Sequence, residues 1–261
     1  MSDHIAFGEQ LARKAGSNML THFRIGVETD WKDSDSTPLT LVDRQNNDLI
    51  LTEVSKVFPD YSIISEEGSI MKDSEYAVIA DPLDGTFGFS HGFPTFVFAL
   101  AFAHRGLPFA SVIFDPTLNR MFTAEHGKGA FLNGSRISVK EWPLKNTKEM
   151  ITVGLTWIQS QRDCGEVMKK IIAMPGLVFG IASASYSGAM VACGQLVAGI
   201  YPVKSPWDGA AVKILVEEAG GKVTDIFGEE QRWDTKIDGF IAAPPRFHDT
   251  LVQLTKESIR K

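Results

Sequence analysis

Cysteine is scarce in this 261-residue chain, where only Cys164 and Cys193 occur. Two cysteines exclude a disulfide scaffold and any cysteine-rich zinc module. A surplus of positive charge is also lacking: 26 Lys and Arg stand against 32 Asp and Glu, a formal net charge of −6. That balance offers no broad basic face, so no nucleic-acid partner is expected. Long apolar runs are missing too. The longest, Phe96–Ala103, falls far short of a bilayer span. The start, MSDHIAFGEQ, lacks the basic-then-apolar layout of a secretory signal. A soluble, cytoplasmic protein with no membrane partner is the expectation.

Common catalytic signatures fail as well. There is no GxxxxGK(S/T), GxSxG, HExxH or CxxC, and Gly127, Gly129 and Gly134 do not make a GxGxxG. The six histidines (His4, His22, His91, His104, His126, His248) form no ligand-spaced pair and read as surface or packing residues. What is present is 44% hydrophobic and 22% charged residues, enough for a substantial core in one large domain or two small ones.

Apolar spacing predicts a helix over the first 24 residues and a second, N-capped by Thr40, running to Phe58. Between them Asp30–Pro38 reads as a polar, turn-rich stretch. Tyr61–Ser65, Tyr76–Ala80, Thr95–Ala103, Phe109–Phe114 and Arg120–Thr123 read as strands. The second half alternates. Strands are expected at Met150–Gly154, Leu177–Ile181, Gly199–Tyr201 and Phe240–Ala243, and helices at Asp163–Ala173, Tyr186–Cys193, Asp208–Ala219 and from Phe247. This change of rhythm divides an N-terminal α+β half, residues 1–145, from a C-terminal α/β half, residues 146–261, with a boundary near 142–148.

Three acidic segments sit where stability alone would not put them. Glu66-Glu67 follows one strand, Asp81-Pro82-Leu83-Asp84-Gly85-Thr86 follows another, and Asp208 opens an apolar helix in Trp207-Asp208-Gly209-Ala210-Ala211. Each has an ordinary explanation as a turn or a first-turn acid. Together they describe a shared pocket. A buried strand aims Asp81, Pro82 turns the chain, and Asp81 and Asp84 would repel unless a cation lay between them. Gly85 allows close backbone approach. If Gly85-Thr86 open a short helix, their N–H groups suit a phosphate. Oxygen ligands without Cys or His point to a hard ion, Mg²⁺ first and Mn²⁺ second.

At these residues the sequence resembles the inositol monophosphatase superfamily of Mg²⁺-dependent, lithium-sensitive phosphomonoesterases. The resemblance runs along nearly the whole chain. It includes S-x-P-L-T-x-x-D (Ser36–Asp43), the Glu-Glu turn, D-P-L-D-G-T, His91-Gly92-Phe93-Pro94, Gly127–Gly134, W-D-G-A-A and the E-A-G-G helix end at Glu218–Gly221. It implies an α+β fold, a five-layered αβαβα sandwich of the sugar phosphatase type, as a homodimer. It also implies two to three Mg²⁺ per site. Glu66, Asp81 and the Leu83 carbonyl would hold the first, Asp81, Asp84 and Asp208 the second, and Glu66 would lie near a third. Asp43 and Thr86 would orient and deprotonate the attacking water, and the Gly85 and Thr86 N–H groups would cradle the phosphate. Lys32 matches a family lysine near the metals. Metals about 3.5–4 Å apart can clamp an in-line displacement.

Two departures bear on substrate. Phe87-Gly88 stand where the animal enzymes of the family carry a hydroxyl and an amide. Tyr201 falls on the position of a glutamate that contacts inositol there, with Lys204 close behind. Ser183-Ala184 match a further substrate-contacting stretch. The expected substrate is a small polyol or sugar phosphate, inositol monophosphate foremost, with histidinol phosphate, fructose 1,6-bisphosphate and a 3′-phosphonucleotide as alternatives. A non-enzymatic alternative is a partner-binding protein of the transcription machinery.

Overall fold

The computed structural model describes residues 2–24, 26–32, 38–141, 150–153, 164–174 and 177–259. The expected boundary at 142–148 lies outside these residues. Two helices, α1 (Asp3–His22) and α2 (Leu41–Val57), flank a small antiparallel hairpin, β1 (Thr29–Trp31) and β2 (Pro38–Thr40). The two strands overlap the ends of the stretch expected to be polar and turn-rich.

Then follow β3 (Ser62–Ser65), β4 (Tyr76–Asp84), the short helix α3 (Thr86–Ser90), β5 (Val97–His104), β6 (Leu107–Asp115), β7 (Arg120–Glu125), β8 (Gly129–Leu132) and β9 (Ser135–Arg136). These strands form a seven-stranded sheet in sequence order, parallel at β3–β4 and antiparallel elsewhere. The second half supplies β10 (Met150–Val153), α4 (Gly165–Ile172), β11 (Leu177–Phe179), α5 (Ala184–Ala192), β12 (Ala198–Tyr201), α6 (Ala210–Glu218), β13 (Lys222–Thr224), β14 (Phe240–Ala243) and α7 (Pro245–Ser258). Its five-stranded sheet has the order β11-β10-β12-β14-β13.

Strand alternation explains how these pieces stack. On β4 and β5, Val78, Ala80, Phe98, Leu100 and Phe102 pack with α1 and α2. Their neighbours Ala77, Ile79, Val97, Ala99, Ala101 and Ala103 face the opposite way, into a core shared with α5 and α6. Successive side chains of a strand point to opposite faces, so one strand feeds two cores. The small residues on the second face let α5 and α6 lie close. Gly188 is needed there, since a Cβ would come 2.4 Å from Val212.

Tyr201, Val223, Phe240 and Ala242 of the second sheet join that same core. Its reverse face packs Ile151, Ile200, Ile241 and Ala243 with α4 and α7. The layers therefore run α1/α2, seven-stranded sheet, α5/α6, five-stranded sheet, α4/α7, the expected αβαβα sandwich. Among the described residues no helix is long and apolar enough to cross a membrane.

Candidate active site

β4 delivers the central acids. In its pairing with β5, Asp81 faces Ala99 whereas Asp84 faces Val97, so one extra residue is accommodated between them. Pro82 accounts for the irregularity, because it has no N–H to give the ladder and is tolerated at a bulge. The sequence reading ended this strand at Ala80 and placed the acids in the following turn. They instead sit on the bulged end of the strand itself.

The bulge is held from behind by Asn46 of α2, whose Nδ2 donates to the Pro82 carbonyl at 3.1 Å and lies 3.4 Å from that of Ala15. Asn46 is fully buried and was not singled out from sequence. Its signal was there: with Val42 and Ile50 it makes an i, i+4, i+8 row that should be wholly apolar.

Asp208 arrives from the other half. A single 3-10 turn, Pro206–Asp208, precedes α6, where a continuous helix was expected. Gly209 links the two and has no room for a side chain, since a Cβ there would meet Trp233 at 2.5 Å and Phe240 at 2.8 Å. Asp81, Asp84 and Asp208 are all buried, each with a carboxylate oxygen within 4.8 Å of the others. One oxygen, Asp208 Oδ2, has no hydrogen-bond partner among the described residues.

Electrostatics follow from that crowding. Burial, then the charges of Glu66, Asp84, Asp208 and Asp43, push the Asp81 carboxyl well above the usual range. Burial and the charges of Asp84 and Glu66 do the same to Asp208. Asp84 rises only to about 6, because hydrogen bonds from Ser185 and Ser183 offset its burial. Three buried acids, one oxygen unpartnered, with only hard oxygen donors: this set suits a hard divalent cation.

Glu66 stands just outside the trio. Its Oε1 lies 2.7 Å from Lys32 Nζ, and Lys32 also pairs with Glu67. Burial alone would lower the Lys32 pKa, but the two glutamates raise it, so it stays an ammonium. Asp43, at the start of α2, accepts from the Thr40 N–H at 2.7 Å and from Thr40 Oγ1 at 2.5 Å. Its other oxygen is 3.0 Å from Thr86 Oγ1, which is also 3.0 Å from the Leu83 carbonyl. Burial lifts the Asp43 carboxyl to about 7 against the pull of the Thr40 and Thr86 hydrogen bonds. Gly85, with φ +101°, caps α3. A Cβ there would strike the Thr95 carbonyl at 2.5 Å, so only glycine fits.

Ser183 caps α5, accepting from the Tyr186 N–H, and Ala184 opens that helix. Ser183 lies against the Gly85 turn, its Cβ 3.2 Å from where a Gly85 Cβ would stand. Lys204 is half-buried on the segment after β12. Tyr201 ends β12. It is 1% exposed, its ring packs on Phe240 with centroids 4.7 Å apart, and it covers Gly199, where a Cβ would come 2.4 Å from the ring. A tyrosine ring on an inward strand face gains most by burial, so the Tyr201 ring contributes to the core.

The sequence pattern of the inositol monophosphatase family matches residues 1–260. This chain belongs to that family. It is therefore a phosphoric monoester hydrolase of a metal-dependent family. A fructose-1,6-bisphosphatase/inositol-1-monophosphatase of Thermotoga maritima is 34% identical over 264 residues, covering 99% of this chain and 98% of the relative. A Nus factor SuhB of Vibrio cholerae is 31% identical, covering 95% and 93%. The solved structure of a Thermotoga maritima IMPase superposes with a TM-score of 0.85 at 32% identity, covering 98% of each chain.

Proposed function

We propose that this family member hydrolyses the phosphate ester of a small polyol or sugar, with inositol monophosphate as the foremost substrate. The observation that carries the reading is the buried oxygen cluster of Asp81, Asp84 and Asp208 beside the Gly85-Thr86 turn. Glu66, Asp81, the Leu83 carbonyl, Asp84 and Asp208 would hold two to three Mg²⁺ ions, with Mn²⁺ as a substitute. When bound, the ions supply Lewis acidity toward the phosphoryl group and water. They also reverse the sign of the pocket, which lets an acidic site receive a dianion.

The chain's own groups then have distinct tasks. Thr86 Oγ1 orients water and relays its proton toward Asp43 Oδ1, whose raised pKa near neutrality suits a general base. The Gly85 and Thr86 N–H groups face the phosphate, while Ser183, Ala184 and Lys204 border the leaving group. Tyr201 stands at the position of the family glutamate, so a phenol and no carboxylate is offered to the substrate there. A polyol is thus recognised through hydroxyl and backbone groups.

The test is phosphate release from inositol 1-phosphate, fructose 1,6-bisphosphate, histidinol phosphate and a 3′-phosphonucleotide, with Mg²⁺, with EDTA and with millimolar lithium. Inositol 1-phosphate turning over fastest, and only with Mg²⁺, is the expected result. No release from any of them, or release untouched by EDTA, overturns the reading. The SuhB name of the Vibrio relative favours a second reading, a partner in the transcription machinery. A pull-down with an inactive Asp81→Asn chain tests it separately.

A further inference from the structure

Below α5 lies a polar cluster that no step above uses. Asp115, at the end of β6, is fully buried. Its Oδ1 accepts from the Thr117 N–H at 2.9 Å, Thr117 Oγ1 at 2.6 Å and the Leu118 N–H at 3.1 Å. Its Oδ2 accepts from Arg120 Nε at 3.0 Å and from the Tyr186 phenol at 2.8 Å. Arg120 in turn donates to the Tyr186 oxygen, and its guanidinium lies over the Tyr186 ring, 5.1 Å from the centroid. Burial, then Asp115, pushes the phenol pKa up to about 12, so it remains a donor at working pH.

Tyr186 stands in the first turn of α5. Its neighbour Ser185 donates its N–H to Asp84 Oδ2 at 2.5 Å and places its Oγ 3.5 Å from the Asp208 carbonyl. A first helical turn has N–H groups with no partner inside the helix, and its position depends on outside contacts. The Tyr186 phenol ties that same turn to the β6–β7 hairpin.

We propose that Tyr186 is a positioning residue: its phenol, clamped by Asp115 and Arg120, fixes the first turn of α5 so that Ser185 holds Asp84 and Asp208 in place for a divalent cation. The proposal rests on reading Asp84 as a metal ligand. The tether acts through the backbone of α5, without touching substrate or ion.

Calorimetric titration of the full chain with Mn²⁺ alone, without substrate, tests it. Tyr186→Phe keeps the ring and removes the phenol. It is expected to raise the Mn²⁺ Kd about three- to tenfold, less than the roughly 10- to 100-fold lost with a group bonded directly to a metal ligand, because Tyr186 acts through Ser185. The turnover number at saturating Mg²⁺ stays within about twofold. A lowered melting temperature in EDTA with an unchanged Mn²⁺ Kd would reduce Tyr186 to a packing role and overturn the proposal. Should Tyr186→Phe not fold, Arg120→Lys gives the same readout, because a lysine keeps the charge but not the fork that spans Asp115 and Tyr186. A wild-type chain that binds no Mn²⁺ would sink the ligand reading itself, and the proposal with it.

Discussion

Thr86 Oγ1 lies 3.0 Å from Asp43 Oδ1 and 3.0 Å from the Leu83 carbonyl, with a single proton for two acceptors. Asp43, raised to about 7, is the one of the two that can change protonation near neutral pH. Replacing Thr86 by Ala removes that hydrogen bond, and with it the proposed relay, and leaves the Asp trio alone. We expect Thr86→Ala to lower the turnover number about 10²- to 10⁴-fold with the Mn²⁺ Kd within about twofold. Steady-state kinetics across a Mg²⁺ series decide the matter: activity restored by more Mg²⁺ would make Thr86 a metal-site residue instead.

Asp81 is the acid most pressed by its neighbours, since burial, Glu66, Asp84, Asp208 and Asp43 all oppose its charge. Its Oδ1 also accepts from the Leu83 N–H at 3.0 Å, a bond that an asparagine oxygen can keep. Asp81→Asn should thus reduce phosphate release more than about 10³-fold, roughly the loss of a key metal ligand's contribution. The melting temperature in EDTA should stay level or rise, because one repelling charge has gone. Near-normal turnover, or a chain that no longer folds, would contradict this account.

Much of this arrangement was legible in the sequence because its carriers are local. Proline and glycine set the Asp81–Thr86 turn chemistry, apolar alternation marked β4 and β5, and Thr40 announced α2. Even the layer order follows from strands such as β5, which offers Phe98, Leu100 and Phe102 to one side and alanines to the other. Less legible were features decided by tertiary contact. The bulge at Asp81–Asp84 exists only relative to β5, and the need for glycine at 209 only relative to Trp233 and Phe240. The packing of the Tyr201 ring on Phe240 and over Gly199 is likewise decided by tertiary contact. Ser185 looked like any small helix residue until Asp84 was brought to its N–H.

Acidity should move stability in an unusual direction. Asp43 and Asp84 have folded pKa values of about 7 and about 6, above their ordinary 3.8. Between pH about 4 and about 7 the folded chain keeps protons that the unfolded chain has released. Their contribution is thus greatest at the acid end and is lost as pH rises through the folded values. In EDTA these two groups should make the melting temperature fall between pH 5 and pH 8 on the order of a few degrees. Mg²⁺ bound by Asp84 would displace its proton, so the stabilisation the ion gives should grow over the same interval. Thermal melts at matched ionic strength test both slopes; a Mg²⁺ effect that shrinks with rising pH would refute the assignment.

Lys32 offers the sharpest separation of charge balance from metal binding. Its ammonium serves Glu66 and Glu67 at once, with side-chain exposures of only 15%, 17% and 10%. Removing one partner of such a group leaves carboxylates with no compensating cation, at a cost of about 1–3 kcal/mol once solvent screening at the rim is allowed for. For a chain of this size that corresponds to roughly 2–10 °C. Lys32→Met should therefore melt lower than wild type in EDTA. The same variant should regain more from Mg²⁺, because the ion then meets Glu66 without a competing ammonium. Differential scanning fluorimetry of both chains with and without Mg²⁺ measures the four temperatures required. If Mg²⁺ stabilises Lys32→Met less than wild type, Lys32 assists the ion rather than standing in for it, and Glu66 is poised for metal only while the lysine is present.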